Sequence, residues 1–227
     1  MTADGPIEKL ADNLWRVQAP MAGKPDQMRG MSLARFDDGR VVIHNAIALD
    51  DSEMAAVDQW GDVAAILVPN GYHRQDAWIM KERYPKAKVY APTGAVKRVK
   101  AALPVDGTFS DAPGDASVTV RHLAGTRERE GVMTVRSGGG AHTAVFCDLL
   151  LNVPLRTGWK GALLHPSGTL SVPRFASWML INDKMLLRAD LEGLAGTEGV
   201  TCVVPGHGEA ITTDTRARLC EAAARLG

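Results

Sequence analysis

The sequence predicts an α/β protein built as a four-layer αββα sandwich, with two facing mixed β-sheets and helices on the outside. Strand–helix units occur in both halves of the chain, and strand-only hairpins lie between them. The two halves also share the same order of elements: a hairpin, an apolar strand, and then a polar loop that contains histidine. No linker rich in Gly, Ser or Pro separates the halves, so residues 1–227 are predicted to form one domain.

The first half contains a hairpin, helices and a buried strand. "NLWRVQAP" is typical of a short strand, and the alternation around the turn "DDG" predicts a hairpin that ends in "RVVIHN". "DDSEMAAVDQWG" predicts a helix with an acid or serine cap and a stop at Gly61. The apolar run 63–69 predicts a strand buried on both faces, and a helix over about 73–83 should end before Pro85. "AKVYAP" then predicts a strand and "GAVKRVKAAL" a helix.

The second half begins with strands and ends with helices. "ASVTVRHLAG", "GVMTVRS" and "AHTAVFCDLLL" predict three strands, the last two joined by a glycine turn. An irregular stretch over 154–173 precedes a helical segment that should break near Asn182 and Asp183. "VTCVVPGHG" predicts a strand that runs into a loop, and the closing helix should be capped by Thr213 or Asp214.

Composition excludes several classes of partner. The chain has 26 basic and 26 acidic residues, and a net charge of zero does not favour binding to nucleic acid or to an anionic membrane. No stretch approaches the roughly 20 apolar residues of a membrane span, and the N-terminus has no signal-peptide core. Three cysteines without CxxC spacing are predicted to be buried thiols in a reducing cytoplasm. The sequence leaves the oligomeric state open.

Polar side chains follow buried strands at four places, which is where α/β folds carry binding groups. An aspartate or a histidine at such a place is costly to bury unless it is paired or bound to metal. The residues are His44 and Asn45, then Asn70, Tyr72, His73 and Asp76, then Asp148, and last His207.

Each of these places has a structural alternative. His44 is predicted to be a core-edge histidine bonded to backbone, and Asn70 to cap the helix that follows it. Asp148 is predicted to belong to a site, and the alternatives are that it caps a loop or pairs with an arginine. His207 stands between two glycines in "PGHG", which allow unusual turns and expose the imidazole, so it is predicted to belong to a site.

The order of these motifs resembles the metallo-β-lactamase superfamily over roughly the whole chain. The resemblance is carried by "NLWRVQAP", "DGRVVIHNA", "VAAILVPNGYH", "KERYPKAKVYAP", "HTAVFCDLLL" and "VVPGHG". It implies the same αββα sandwich. It also implies a relationship to proteins that usually hold two metal ions at the sheet edge and hydrolyse esters, amides, thioesters or phosphodiesters.

The sequence departs from that superfamily at its metal signature, His-x-His-x-Asp-His. The corresponding loop is the shorter "PNGYHRQD". Counting back from Pro85 places His73 at the last histidine, whereas counting forward from Pro69 places Asn70 at the first and Tyr72 at the second. Thr126 stands where the middle histidine after Pro-Gly is usual. The chain is most similar to a divergent bacterial branch that lacks the full signature, and this similarity implies no particular substrate.

The resemblance therefore implies a degenerate metal site. His73, Asp148 and His207 are the candidate ligands of a single zinc, manganese or iron ion, with water completing its shell. The incomplete ligand set favours the alternative in which no metal binds and the three side chains hydrogen-bond one another.

Two functions are compatible with such a site. The first is a mononuclear or metal-independent hydrolase of a small molecule, in which His73, Asp148 and His207 bind metal or activate water, and Asn70 or Tyr72 polarises the scissile group. The second is a non-catalytic member of the fold that binds a ligand or a partner. The missing signature favours the second function, whereas the retained Asp148 and "PGHG" favour the first. The segment 156–168 is predicted either to cover the pocket, with Trp159 as a lid residue, or to pack on the surface.

Overall fold

The larger sheet contains the hairpin and the buried strand of the first half. The structure, a computed structural model, describes residues 7–21, 24–154, 158, 161 and 168–226. Among these residues the larger sheet has seven strands, which neighbour one another in chain order. β1 to β4 pair antiparallel and β4 to β7 pair parallel. The strands are β1 (Glu8–Ala11), β2 (Leu14–Met21), β3 (Lys24–Arg35), β4 (Val41–His44), β5 (Val63–Leu67), β6 (Lys88–Ala91) and β7 (Gly107–Thr108).

The second sheet has the order β12-β10-β9-β8, and only its β10–β12 pair is parallel. Its strands are β8 (Val118–His122), β9 (Gly131–Arg136), β10 (His142–Val145) and β12 (Val200–Val204). Beyond the ends of β10 and β12, the short strands β11 (Leu151–Asn152) and β13 (His207–Gly208) pair parallel, with Leu151 opposite His207. This small ladder fixes the chain segment that carries His207.

Six helices of the described chain cover the outer faces. They are α1 (Asp51–Trp60), α2 (Ala77–Arg83), α3 (Val96–Val99), α4 (Arg174–Met179), α5 (Lys184–Gly196) and α6 (Thr215–Ala224). One core cluster joins the first sheet to α1, α2 and α3, and a second joins the other sheet to α5 and α6. A third cluster lies between the two sheets. The predicted four-layer αββα sandwich is confirmed.

Most predicted elements are present, but several boundaries were wrong. The helix predicted from residue 73 begins at Ala77, because Asn70 accepts the backbone N–H groups of Tyr72 and His73 and holds that segment in a turn. Asn70 is therefore not a helix cap.

Three further predictions concern where helices begin and how long they are. Asp183 does separate α4 from α5 and caps α5 by accepting the N–H of Leu186. Asp214, one of the two predicted caps, is the N-cap residue of α6, but its backbone is left-handed and its side chain makes no cap bond. "GAVKRVKAAL" forms only the short α3 after a 3-10 turn. Trp159 and most of the segment 156–168 lie outside the described residues.

Cys147 and Cys202 are buried as predicted, but Cys220 is exposed on α6. In the part of the chain that the structure describes, no helix is both long and apolar enough to cross a membrane.

Replacing Leu191 with Ala tests the packing of α5 on the second sheet. Leu191 is fully buried, so Leu191→Ala should lower the free energy of unfolding by about 2–5 kcal/mol. Leu186→Ala is the matched control on the same helix, because more than half of Leu186 is exposed, and it should cost less than about 0.5 kcal/mol. Urea denaturation measures both changes, and equal losses would contradict the assignment of the buried face.

Candidate functional site

Three side chains from both sheets meet at one edge of the sandwich. His73 lies in the loop after β5, Asp148 follows β10, and His207 begins β13 after β12. The Nε2 atoms of His73 and His207 lie 2.9 Å and 3.2 Å from the same oxygen, Oδ1 of Asp148. The three ligand-capable atoms lie within 4.8 Å of one another. The sequence-predicted triad is therefore assembled in space.

The backbone of β3 orients both imidazoles. Nδ1 of His207 donates to the carbonyl of Met28 at 2.7 Å. Nδ1 of His73 lies 2.9 Å from Oδ1 of Asn45, whose own amide nitrogen donates to the carbonyl of Gly30. Since Asn45 uses its amide nitrogen on Gly30, its oxygen faces His73 and accepts. Both rings therefore carry a proton on Nδ1.

This arrangement directs the other nitrogen of each ring at Asp148. If both rings are neutral, two Nε2 lone pairs face a carboxylate oxygen, and three electron-rich atoms repel one another. A cation must lie among them: either protons on the Nε2 atoms or one metal ion. Metal-binding histidines typically donate their second N–H to a carbonyl or carboxylate group, as both rings do here.

A second buried network holds the other oxygen of Asp148. The amide nitrogen of Asn70 donates to Oδ2 of Asp148 at 2.9 Å and to Oε2 of Glu130 at 3.1 Å. The second carboxyl oxygen of Glu130 accepts the backbone N–H of Leu149 at 2.7 Å. Asn70 and Glu130 have no exposed surface. Both oxygens of the Asp148 carboxylate are therefore held: Oδ1 contacts the two histidines, and Oδ2 accepts from Asn70.

Burial and the neighbouring charges act in opposite directions on the pKa of Asp148 and of His207, and in the same direction on that of Glu130. Burial alone would raise the pKa of Asp148, but the charges and hydrogen bonds of His73 and His207 hold it well below its usual range. Burial alone would lower the pKa of His207, yet the bonds to Asp148 and to the Met28 carbonyl raise it. Burial, together with the charge of Asp148, raises the pKa of the Glu130 carboxyl.

Two glycines and a buried arginine shape the loop that carries His207. Gly208 has φ +88°, and a Cβ there would lie 1.7 Å from the carbonyl oxygen of Asn152. A Cβ on Gly206 would lie 2.7 Å from the backbone of Cys147. The guanidinium of Arg16, fully buried on β2, donates to the carbonyl of Gly208. The glycines of "PGHG" therefore permit close backbone approach on both sides of His207.

The triad opens into a cavity of about 750 Å³. One wall is the β2–β3 hairpin, with Met21 and Met28, and the opposite wall is α4, with Phe175 and Met179. Side-chain amides are interspersed among these apolar groups, from Gln18, Gln27, Gln75 and Asn152. Arg29, also at the wall, is paired with Asp76. The lining suits a small molecule that has an apolar body and hydrogen-bonding groups.

The other sequence candidates have different surroundings. Tyr72 lies at the cavity rim with the guanidinium of Arg98 4.0 Å above its ring. Asn70 is buried behind Asp148 and is not among the described cavity-lining residues. Thr126 is buried and donates to the carbonyl of Leu123, outside the triad. His44 is buried, as predicted for a histidine at the edge of the core, and its Nε2 has no hydrogen-bond partner among the described residues.

The sequence analysis did not identify Glu130 or Arg16. Glu130 ends the charged run "RERE", which is typical of a solvated turn, so no pattern in the sequence indicates its burial. Arg16 stands in a strand pattern with nothing that marks it as a buried cation.

The donor set fits one divalent ion. Bonds of about 2.0–2.2 Å at tetrahedral angles place ligand atoms roughly 3.4 Å apart, close to the separations of Asp148 Oδ1 from the two Nε2 atoms. Two histidines and a carboxylate with open positions suit zinc or iron(II). Oδ2 of Asp148 is occupied by the Asn70 amide, so the described residues offer a place for one ion rather than two.

Comparison with known proteins finds similarity at the level of structure. No family model matches the chain, and no curated protein matches it. The DIM-1 metallo-β-lactamase superposes with a TM-score of 0.63 at 14% identity over 100% of both chains. A metallo-β-lactamase from Hirschia baltica gives 0.63 at 10% identity over 96% of this chain and 97% of that one. FIM-1 from Pseudomonas aeruginosa, in its mono-zinc form, gives 0.62 at 11% identity over 99% and 96%. The chain therefore has the metallo-β-lactamase fold.

His44 should make the stability of the protein depend on pH. Burial lowers its pKa to about 3, and the charge of His73 contributes. The unfolded chain, with a histidine pKa of about 6.5, binds a proton that the folded chain does not bind. The free energy of unfolding therefore reaches its full value above about pH 6.5 and falls as the pH decreases below it. Between pH 7 and pH 5, the unaltered protein should lose about 2 kcal/mol relative to His44→Leu. Urea denaturation at both pH values measures this difference, and parallel losses in the two proteins would contradict it.

Proposed function

We propose that the protein is a hydrolase of a small molecule with an apolar body, and that it acts at the His73–Asp148–His207 site with no more than one divalent ion. The observation that carries the proposal is the shared orientation of the two histidines. Each ring uses Nδ1 on a fixed acceptor, and both direct Nε2 at one oxygen of Asp148 at the base of the cavity. FIM-1, a protein of this fold, was solved in a mono-zinc form.

The residues of the chain supply binding, orientation and proton handling. Met28, Phe175 and Met179 contact the apolar body of a substrate and exclude water from it. Asp148 and the two histidines orient the attacking water, and in the metal-free form their Nε2 atoms accept and return its proton as the scissile bond breaks. When bound, a zinc, manganese or iron(II) ion at their three atoms supplies Lewis acidity to the pocket.

Tyr72 and Asn70 take different parts in this proposal. Tyr72 borders the cavity, so its hydroxyl is the candidate for polarising the scissile group. Asn70 has no exposed surface and donates to Asp148, which suits support of the carboxylate better than contact with substrate.

Ligand binding without chemistry is the second candidate function. The observation that favours it is that Nε2 of His207 lies 3.2 Å from Oδ1 of Asp148 and that Asp148 raises the pKa of His207, so a proton on Nε2 satisfies this contact without a metal ion. In that state the cavity keeps its shape and lining.

Metal content distinguishes the two forms of the site. Protein purified without chelator should contain about one equivalent of zinc, manganese or iron per chain, and His207→Ala should abolish this binding, because two ligands hold such ions weakly. His142→Ala is the matched control, since His142 bonds Arg136 and lies outside the triad. Elemental analysis provides the measurement. Absence of metal from the unaltered protein, before and after soaking, would exclude a metallohydrolase.

Activity should depend on the charge of Asp148. In a screen of ester, thioester and phosphodiester substrates, Asp148→Asn should lower kcat/KM by roughly 100-fold or more, because the amide keeps the shape of the side chain but lacks the negative charge that holds the metal ion or the proton at the two histidines. His142→Ala should retain activity. Equal turnover by Asp148→Asn and the unaltered protein would show that the hydrolysis does not arise at this site.

A further inference from the structure

Glu130 is a buried acid that the proposed chemistry does not use. It has no exposed surface, and its carboxyl group shares one donor, the amide nitrogen of Asn70, with a second buried acid, Asp148. Two carboxyl groups held this close without solvent repel each other and are costly to bury. An apolar residue would fill this place at lower cost, so the contacts of Glu130 call for an explanation beyond packing.

Asn70 connects Glu130 to two residues of the triad. Its amide nitrogen donates one hydrogen toward Asp148 and the other toward Glu130. Its oxygen accepts the backbone N–H groups of Tyr72 and His73. Every hydrogen-bonding position of the Asn70 amide is therefore in use, and the side chain has one allowed orientation.

Glu130 also holds the chain next to Asp148 directly. Its Oε1 accepts the backbone N–H of Leu149, the residue after Asp148. Glu130 thus acts on Asp148 twice, once through the backbone of Leu149 and once through the Asn70 amide. Both bonds use a carboxyl oxygen as acceptor.

The loop before Glu130 has an unusual backbone. Arg127 and Glu128 have φ of 53° and 52°, the left-handed region that residues other than glycine seldom adopt. These two left-handed residues turn the chain inward, so that the side chain of Glu130 is buried next to Asp148. The carbonyl of Glu128 accepts the N–H of Gly94. Such strain is typical of segments that position functional groups.

We propose that Glu130 is a positioning residue: acting through Asn70 and the N–H of Leu149, it fixes the Asp148 carboxylate so that only Oδ1 faces His73, His207 and the cavity. The inference rests on the proposed function, in which Oδ1 of Asp148 contacts a metal ion or the reacting water. Because Asn70 holds Oδ2, the orientation of Asp148 depends on the contacts of Asn70 and Glu130 as well as on the two histidines.

Zinc affinity tests this proposal in the full chain. Glu130→Gln keeps the shape of the side chain but has one acceptor oxygen where two are needed, so it should weaken zinc binding about 10- to 100-fold in competition with a chromophoric chelator. Thr215→Val is the matched control: it removes a buried hydroxyl that donates to the carbonyl of Thr201, without contacting Asp148, Asn70 or Glu130, and should keep the affinity of the unaltered chain. Unchanged zinc affinity in Glu130→Gln would overturn the proposal.

A second measurement needs no metal. In the metal-free chain, the side-chain ¹⁵N resonances of His73 and His207 report their contacts with Asp148. They should move in Glu130→Gln and in Glu130→Asp, which keeps both acceptor oxygens but draws them back from Asn70 and from the N–H of Leu149, and stay in place in Thr215→Val. If the unaltered chain binds no zinc, the metal part of the proposed function fails and these resonances alone decide the role of Glu130. Unmoved resonances in both Glu130 variants would overturn it, and Glu130→Asp carries the same test if Glu130→Gln does not fold.

Discussion

The buried carboxylate of Asp148 is the group on which the geometry of the site depends. Its Oδ1 receives the Nε2 atoms of His73 and His207, and its Oδ2 receives the amide of Asn70. A carboxylate so far from solvent is stable only if positive charge or hydrogen bonds compensate its burial. Every polar residue of the site can be understood as part of that compensation.

The site also joins the two sheets. Asp148, Glu130 and His207 belong to the second sheet and its loops, whereas the groups that face them come from the first sheet: His73, Asn70, Asn45 and the carbonyls of Met28 and Gly30. Because each sheet supplies half of the contacts, the site forms only when the sheets are packed. β3 has a particular part, since two of its carbonyls, two residues apart, fix the proton positions of both histidines.

The fold and the triad could be predicted from the sequence because their signals are local. Hydrophobic periodicity and turn residues indicate the two sheets, and His73, Asp148 and His207 each follow an apolar strand. The similarity of the chain to solved metallo-β-lactamases agrees with that prediction of the fold.

The supporting network could not be predicted, because its residues act through distant contacts. Glu130 stands in a charged run that is normally solvated, and its burial depends on two left-handed residues that no pattern marks. Asn70 is of a residue type that commonly caps helices, but its amide nitrogen donates to two carboxyl groups from the other sheet. Tyr72 lies at the cavity rim beside Arg98, a contact between residues well separated along the chain. Backbone carbonyls such as that of Met28 have no sequence signature at all.

The central proposal is that one metal ion, rather than protons alone, binds between His73, Asp148 and His207 through Nε2, Oδ1 and Nε2. Anomalous diffraction above and below the zinc absorption edge, from crystals grown with zinc, tests it most directly. The account predicts a single anomalous peak within coordination distance of all three atoms, with both Nδ1 atoms still bonded to Asn45 and to the Met28 carbonyl. A peak bound through either Nδ1, a second peak beside Oδ2 of Asp148, or no peak at the triad would contradict it.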